Sequence, residues 1–283
     1  MFRHVGVAIG VLLLIAAIIA VARQRHDVFD ALRLVDVGGS AVLLLATVFV
    51  HLVASATVFH ILTQKYGHVP FGDMVMLICG AALLNYLPLR AGLFGRIAYQ
   101  KAVFNIRAAD SVRVVVESLI LSACTGVWVV IAALSARETA VSFPIMLWFG
   151  VVLLAIGIMT PARRWCLAGI VRYLEVGLWA VRYLLAFAAL GIDLPLDAAM
   201  VIGCMSLVAN LVPFFSNGLG LREWGVGLLT PLLVGSAVGV TLELGMTAEL
   251  INRAAEIIAV SIAGGGALML FASRHRGALR RTT

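Results

Sequence analysis

The sequence predicts an all-α polytopic membrane protein with seven to nine hydrophobic helical segments. Three observations predict it. Hydrophobic residues fill 63% of the 283 positions and charged residues only 12%, about half the charged share of a soluble domain. A soluble chain this apolar could not cover its surface. Apolar runs recur at the length that crosses a bilayer, roughly 20 residues. None shows the alternation of a membrane barrel strand, so the backbone must be satisfied inside helices.

The runs follow in order. The first, 5–22, is too long and too apolar-flanked for a cleaved signal peptide, and no A-x-A site follows it. The next are 38–62, the short 71–87, 112–135 and 144–160. A weaker run, 175–190, is flanked or interrupted by Arg172 and Arg182. The last three are 198–215, 223–240 and 250–272. No polar stretch is long enough for a separate globular core, so residues 1–283 read as a single membrane domain.

Charge sets the orientation. Arg90, Arg96, Lys101, Arg107 and Arg113 make 89–113 a basic, cytoplasmic stretch. Arg163, Arg164 and Arg172 mark a second cytoplasmic loop, and Arg274, Arg276, Arg280 and Arg281 a cytoplasmic tail. The connections near Asp193/Asp197 and Glu243/Glu249 lack basic excess and fit the outside. Nine full spans put the N-terminus out; if 71–87 enters and leaves on one side, the N-terminus is in. The multi-pass chain is therefore expected in a cell (cytoplasmic or inner) membrane. The net charge of +7 serves loops and headgroups and forms no basic patch for nucleic acid.

Two apolar runs are broken alike. One ends Asn85-Tyr86-Leu87-Pro88-Leu89-Arg90-Ala91-Gly92, the other Asn210-Leu211-Val212-Pro213, with Gly218 and Gly220 following. Each reads N-x-[LV]-P, then glycine, then an arginine opening the next helix: Arg96 or Arg222. Proline ends the helix before it and removes a donor, and glycine permits the turn. A helix starting after such a break points its positive end into the gap. Matched broken segments are the sequence pointer to a transporter site, here with repeat halves near 38–135 and 144–272. The plainer alternative is a pair of structural kinks.

These residues carry a resemblance. The stretch from Asn85 to Gly92 with Arg96 resembles the N-x-L-P-x-R-x-G-x-x-x-R element of the flippase-like, lysylphosphatidylglycerol synthase transmembrane-region family. Gly218-Leu219-Gly220-Leu221-Arg222-Glu223 resembles its G-x-G-x-R-E element. Glu117 stands where that family often opens a helix with an E-R pair, and Asn252-Arg253 resembles its last helix. The likeness runs roughly from 38 to 271. Ser118 replaces the usual arginine, Leu93-Phe94 the usual glutamate, and Ser216-Asn217 a glycine-rich lead. The resemblance implies movement of aminoacylated phospholipid between leaflets, while the residues themselves leave the two broken runs either spanning or re-entrant. It also implies that a chain ending at Thr283 lacks the synthase's aminoacyl-transferase domain.

The candidate lipid-binding set is Asn85, Pro88, Arg90, Arg96, Glu117, Asn210, Pro213, Gly218, Gly220, Arg222, Glu223, Arg253 and Glu256. A charge at mid-bilayer costs about 2.5–3.5 kcal/mol, so these residues must pair or face a wet cavity. Arg253 and Glu256 are three apart and can pair on one face. Arg222 and Glu223 diverge by about 100° and need different partners. Arg222 with Arg90 or Arg96 suits phosphate; Glu223 and Glu117 suit arginines or a cationic headgroup. Snorkelling to an interface is the competing reading.

No metal, cofactor or disulfide is expected. His51 and His60 lack ligand spacing, and Cys79, Cys124, Cys166 and Cys204 read as packing residues. Trp128, Trp148, Trp165, Trp179 and Trp224 fit interfacial anchoring, and Gly264-Gly265-Gly266 a close helix approach. The scattered aspartates give no D-D-x-x-D and no catalytic motif is present, so an enzyme acting on a lipid-linked substrate is disfavoured. No phosphate-binding loop for an ATP-driven pump occurs. A non-catalytic scaffold or regulator stays open beside translocation. The expected partners are membrane phospholipids, with a second copy or a lipid-modifying enzyme as candidate protein partners.

Overall fold

The computed structural model describes residues 37–86, 91–138, 143–211, 218–234 and 241–279, with helical residues 12, 14–16 and 18–19. The run 5–22 falls largely outside them, as do Pro88, Arg90, Pro213 and the side chain of Asn210. Every regular element among the described residues is helical, with no strand. They are α1 (Val37–Thr63), α2 (Phe71–Leu84), α3 (Ala91–Phe104), α4 (Ala108–Glu138), α5 (Phe143–Gly157), α6 (Arg163–Ala188), α7 (Leu196–Leu211), α8 (Leu221–Val234) and α9 (Leu242–Leu279).

Three helices are long and apolar enough to cross a membrane, over Gly39–Thr63, Ala108–Ala136 and Leu242–Phe271. Helix α6 has comparable length, 26 residues, but carries Arg172, Glu175 and Arg182 inside it. Helices α2, α3 and α8 have 14 residues each and α7 has 16. At 1.5 Å per residue these reach about 21–24 Å, short of a hydrocarbon core of about 30 Å.

Local chemistry sets the boundaries. Pro70 stands at the N-cap of α2 with φ −54°, and Asp73 lies in the first turn, where the helix dipole favours a carboxylate. Helix α2 stops at Asn85, shortly before Pro88, as the proline's clash with a preceding helical turn requires. Asn105 takes φ 54° between α3 and α4, a left-handed helix stop that asparagine tolerates. Gly218 and Gly220, at φ 67° and 79°, deliver the chain into α8, a path closed to most side chains.

The basic stretch 89–113 holds α3 and the start of α4, and Arg96 lies in the helix expected after the Asn85–Gly92 break. Two expectations need correcting. Arg172 lies in the middle of α6, buried beside Glu175, because its charge is neutralised there and need not seek water. Glu249 belongs to α9, not to the preceding connection, and is fully buried.

Helices α1 and α6 run antiparallel face to face. Ser55 bonds Glu175, the His51 ring meets Trp179, and Leu62 clusters with Ala168. Helices α2 and α9 are likewise antiparallel, with Asp73 paired to Arg274 at 2.9 Å and Gly80 against Leu268. The start of α2 and the end of α3 share one cluster, where Met74 and Val69 pack with Phe104 and Ile106. So α2 and α3 run out and back. Leu233 and Val234 at the end of α8 likewise join the cluster holding Leu194 and Ala198 near the start of α7.

The helix contacts of 37–138 and 163–279 match pair for pair. Helix α1 packs on α2, and α6 on α7; α2 packs on α9, and α7 on α4. The pairs α3–α4 and α8–α9, α2–α3 and α7–α8, α1–α4 and α6–α9, and α1–α9 and α4–α6 complete the correspondence around the α1–α6 contact.

Of the three consecutive glycines 264–266 in α9, only the first packs tightly on α2. A Cβ on Gly264 would lie 2.5 Å from Leu83 Cβ and 2.7 Å from the Cys79 carbonyl oxygen, whereas Gly265 and Gly266 face open space. Overpacking of this kind costs about 1–3 kcal/mol. Gly264→Ala is expected to lower the melting temperature of the detergent-purified protein, and Gly265→Ala to leave it unchanged.

Candidate functional site

The sequence places Arg222 and Glu223 in the first turn of α8, immediately after the two left-handed glycines. Both side chains are fully buried. Helix α9 presents Glu249, Asn252, Arg253 and Glu256 at three- and four-residue spacing, one face of a helix. Helix α6 adds Trp179, Arg182 and Tyr183, and the end of α2 adds Tyr86.

These groups close into one network. Arg222 Nη2 lies 2.8 Å from Glu249 Oε1, and its Nη1 donates to Glu256 Oε2 at 3.1 Å. Arg182 Nη2 donates to the same Glu256 oxygen at 2.8 Å, and its Nε donates to Asn252 Oδ1 at 2.8 Å. Asn252 Nδ2 donates to Glu249 Oε2 at 3.0 Å, which also accepts from the Tyr183 hydroxyl at 2.6 Å. Tyr86 donates to Glu256 Oε1 at 3.0 Å. Arg253 Nε sits 2.7 Å from Glu223 Oε1, and its Nη2 donates to the Gly218 carbonyl at 3.4 Å. So Arg253 closes on Glu223, while Glu256 serves Arg182 and Arg222.

Two of the guanidinium groups also cover the face of Trp179, Arg182 at 4.1 Å and Arg222 at 4.7 Å from the ring centroid. Such cation–π contacts gain strength when water is absent. Trp179 is therefore a buried element of the site, not an interfacial anchor. His51 lays its ring against Trp179 at 5.2 Å, and its buried Nδ1 has no hydrogen-bond partner.

A second buried cluster lies along the same face of α6. Arg172 pairs with Glu175, which accepts from Ser55, and Arg172 Nη2 donates to Ser118 Oγ at 2.5 Å. Ser118 stands where the resembled family carries an arginine. Here a guanidinium reaches that position from α6 instead.

Of the sequence candidates, the fold brings together Gly218, Gly220, Arg222, Glu223, Arg253 and Glu256, with Asn85 beside Tyr86 at the tip of α2. Asn85 Oδ1 is buried without a hydrogen-bond partner. Arg96 stands apart, 6% exposed, with its guanidinium 3.9 Å over the Phe59 ring and no ion pair to a described residue. Glu117 accepts from the Tyr66 hydroxyl at 3.0 Å. Arg182, Tyr183 and Glu249 were missed by the sequence reading. A signal existed: residues 172, 175, 179, 182, 183 and 186 fall on one helical seam, and polar groups on the seam of an apolar helix face the interior.

The network joins three arginines to three glutamates, so its charges cancel. Among the described residues, no group of His, Cys, Asp or Glu could hold a metal ion. Comparison with family models, curated proteins and solved structures finds no match.

Removing one partner of a buried ion pair strands the other, at about 3–5 kcal/mol. Glu223→Gln and Arg253→Met should each destabilise the protein by about that amount. The double variant should cost clearly less than their sum, because its second change removes the stranded charge. Denaturant unfolding in mixed micelles measures all three.

Proposed function

We propose that this chain is a membrane translocator that carries a polar or aminoacylated phospholipid between leaflets, as its resemblance to the lysylphosphatidylglycerol synthase transmembrane region implies. One observation carries the reading: a charge-neutral set of three arginines and three glutamates is buried where Arg222, in the first turn of α8, and Tyr86, just past α2, both reach Glu256 of α9. A zwitterionic headgroup can exchange into such a set without changing its net charge. Its phosphate takes an arginine from a carboxylate, with the paired bonds that guanidinium makes to phosphate. Its amine takes the released carboxylate.

The topology that supports this has α1, α4, α6 and α9 crossing the bilayer, the shorter 15-residue α5 returning the chain from α4 to α6, and α2–α3 and α7–α8 entering from opposite sides and returning. Lys65, Lys101, Arg107, Arg113, Arg163, Arg164 and Arg274 then share one side, the cytoplasmic one by charge. Asp193, Asp197 and Glu243 fall on the other. The halves 37–138 and 163–279 are then inverted with respect to each other, the arrangement that lets one half rock on the other around a shared site.

Polar groups follow α6 through the bilayer. Arg172 lies about 12 Å along the helix from Arg164, and Arg182 about 15 Å farther. A headgroup passing beside α6 meets a charged partner at each step while its acyl chains stay in lipid. Arg96, buried without a carboxylate partner among the described residues, offers a guanidinium to phosphate.

Two measurements test the proposal. Single cysteines in a cysteine-free chain should label from the cytoplasmic side at Lys65→Cys and from the outside at Asp193→Cys. In liposomes with fluorescent phospholipids and an external quencher, the wild-type chain should speed leaflet exchange. Arg96→Ala, with an unchanged melting temperature, should slow it by about tenfold to a hundredfold, the loss of a charged hydrogen bond worth about 1.5–3 kcal/mol. Wild-type exchange no faster than that of empty liposomes, across anionic, zwitterionic and cationic headgroups, would overturn the proposal.

A further inference from the structure

The arginines of the central network are all neutralised by carboxylates. A group of cations at the cytoplasmic end of α6 is not. A cavity of about 550 Å³ opens between the end of α1, the middle of α4 and the first turn of α6. Lys65, Arg163 and Arg164 line it, facing the single carboxylate of Glu117. None of the three cations forms an ion pair with a described residue. Glu117 accepts a hydrogen bond from Tyr66 but forms no ion pair with a described residue. The cavity thus holds two positive charges in excess.

Its geometry adds to that excess. Thr160 sits in the turn before α6, donating to the Gly157 carbonyl at 2.6 Å and accepting from the Ala162 amide at 3.2 Å. This fixes the start of a 26-residue helix at the cavity wall, where the helix dipole favours an anion. The half-buried Trp165 forms another part of the wall, a side chain suited to headgroup depth. The volume lies within the range of small-ligand sites, about 300–1,000 Å³. Next to Glu117 is Ser118, which holds Arg172, so the cavity adjoins the polar groups that continue along α6.

We propose that this cavity is a phosphate-ester binding site. Arg163, Arg164 and Lys65 hold the phosphate, and Glu117 receives an amine carried on the same headgroup. A membrane lipid or a water-soluble glycerophosphoester presents this chemistry equally. The inference deepens the translocator reading and rests on its membrane topology: the cavity is where a cytoplasmic-leaflet headgroup would first dock. It does not rest on transport itself.

The test uses the full chain in phosphatidylcholine nanodiscs, titrated with short-chain phosphatidylglycerol, short-chain lysyl-phosphatidylglycerol, glycerophosphate and inorganic phosphate. The Arg163→Gln/Arg164→Gln variant should bind the phosphate probes about tenfold or more weakly. Glu117→Gln should weaken only the amine-bearing lipid. Arg274→Gln, which removes an exposed cation on the same side, should change nothing. Tighter binding of the short-chain lipids than of the soluble phosphates supports the site and makes its ligand a lipid; equal binding supports the site and makes it a soluble ester. Wild type that binds none of the probes overturns the inference. So does an Arg163→Gln/Arg164→Gln variant that binds like wild type, or an Arg274→Gln variant that loses as much, since the effect is then diffuse surface charge. Binding that survives while leaflet exchange fails removes the translocator and keeps the site.

Discussion

A guanidinium with no exposure to water has to be met by carboxylates, and in this chain Arg222 sets that demand for the rest of the fold. It sits at the start of α8, delivered there by two glycines whose backbone angles most residues avoid. Glu249 and Glu256 answer it from α9. That pairing obliges α9 to turn a charged seam inward, which brings Arg253 onto Glu223 and recruits Arg182 from α6. The tip of α2 is drawn in through Tyr86. Four separate stretches of chain are thus tied by one neutral network, and each must be in register for the others to be satisfied. In a low-dielectric interior such a network is either complete or strongly destabilising.

The remainder of the surface is apolar in the way this interior is charged. Val42, Ile131, Leu134 and Ile262 stand half or more exposed, while Arg182, Arg222, Glu175, Glu223 and Glu249 are fully buried. Water would reverse that partition. Lipid tails accept it, because they solvate the apolar exterior and offer no competing partner to the polar interior. The close approach of α9 to α2 at Gly264 and the antiparallel α1–α6 pair then pack the halves through van der Waals contact, as association in lipid requires.

Composition and run length made the helical class legible, because both are averages over many residues. The breaks near Asn85 and Gly218 were legible for a local reason, since proline and glycine act on their own neighbours. The network was only half legible. Arg222, Glu223, Arg253 and Glu256 draw notice as charges within apolar runs. Arg172 and Arg182 instead made α6 look like a weak span and a basic loop, because hydropathy counts a charge without knowing its partner. Glu249 was assigned to a connection for the same reason. Arg182 meets Asn252 and Glu256 across 70 and 74 residues of chain, and pairing over that separation is fixed only when helices pack. Arg96 carried the opposite ambiguity: its sequence context suits a loop, a snorkelling side chain or a buried cation, and only its place over Phe59 decides.

Trp179 gives the network an optical side. Its indole is almost wholly buried, with two positive charges held against its ring. Indole emission shifts with the local electric field, and these two charges are the nearest source of one. Any rearrangement that separates Arg182 or Arg222 from their carboxylates also moves them relative to that ring. The protein thereby carries its own spectroscopic probe at the point where its helices are tied together, and the colour of one tryptophan follows the state of the whole charge cluster.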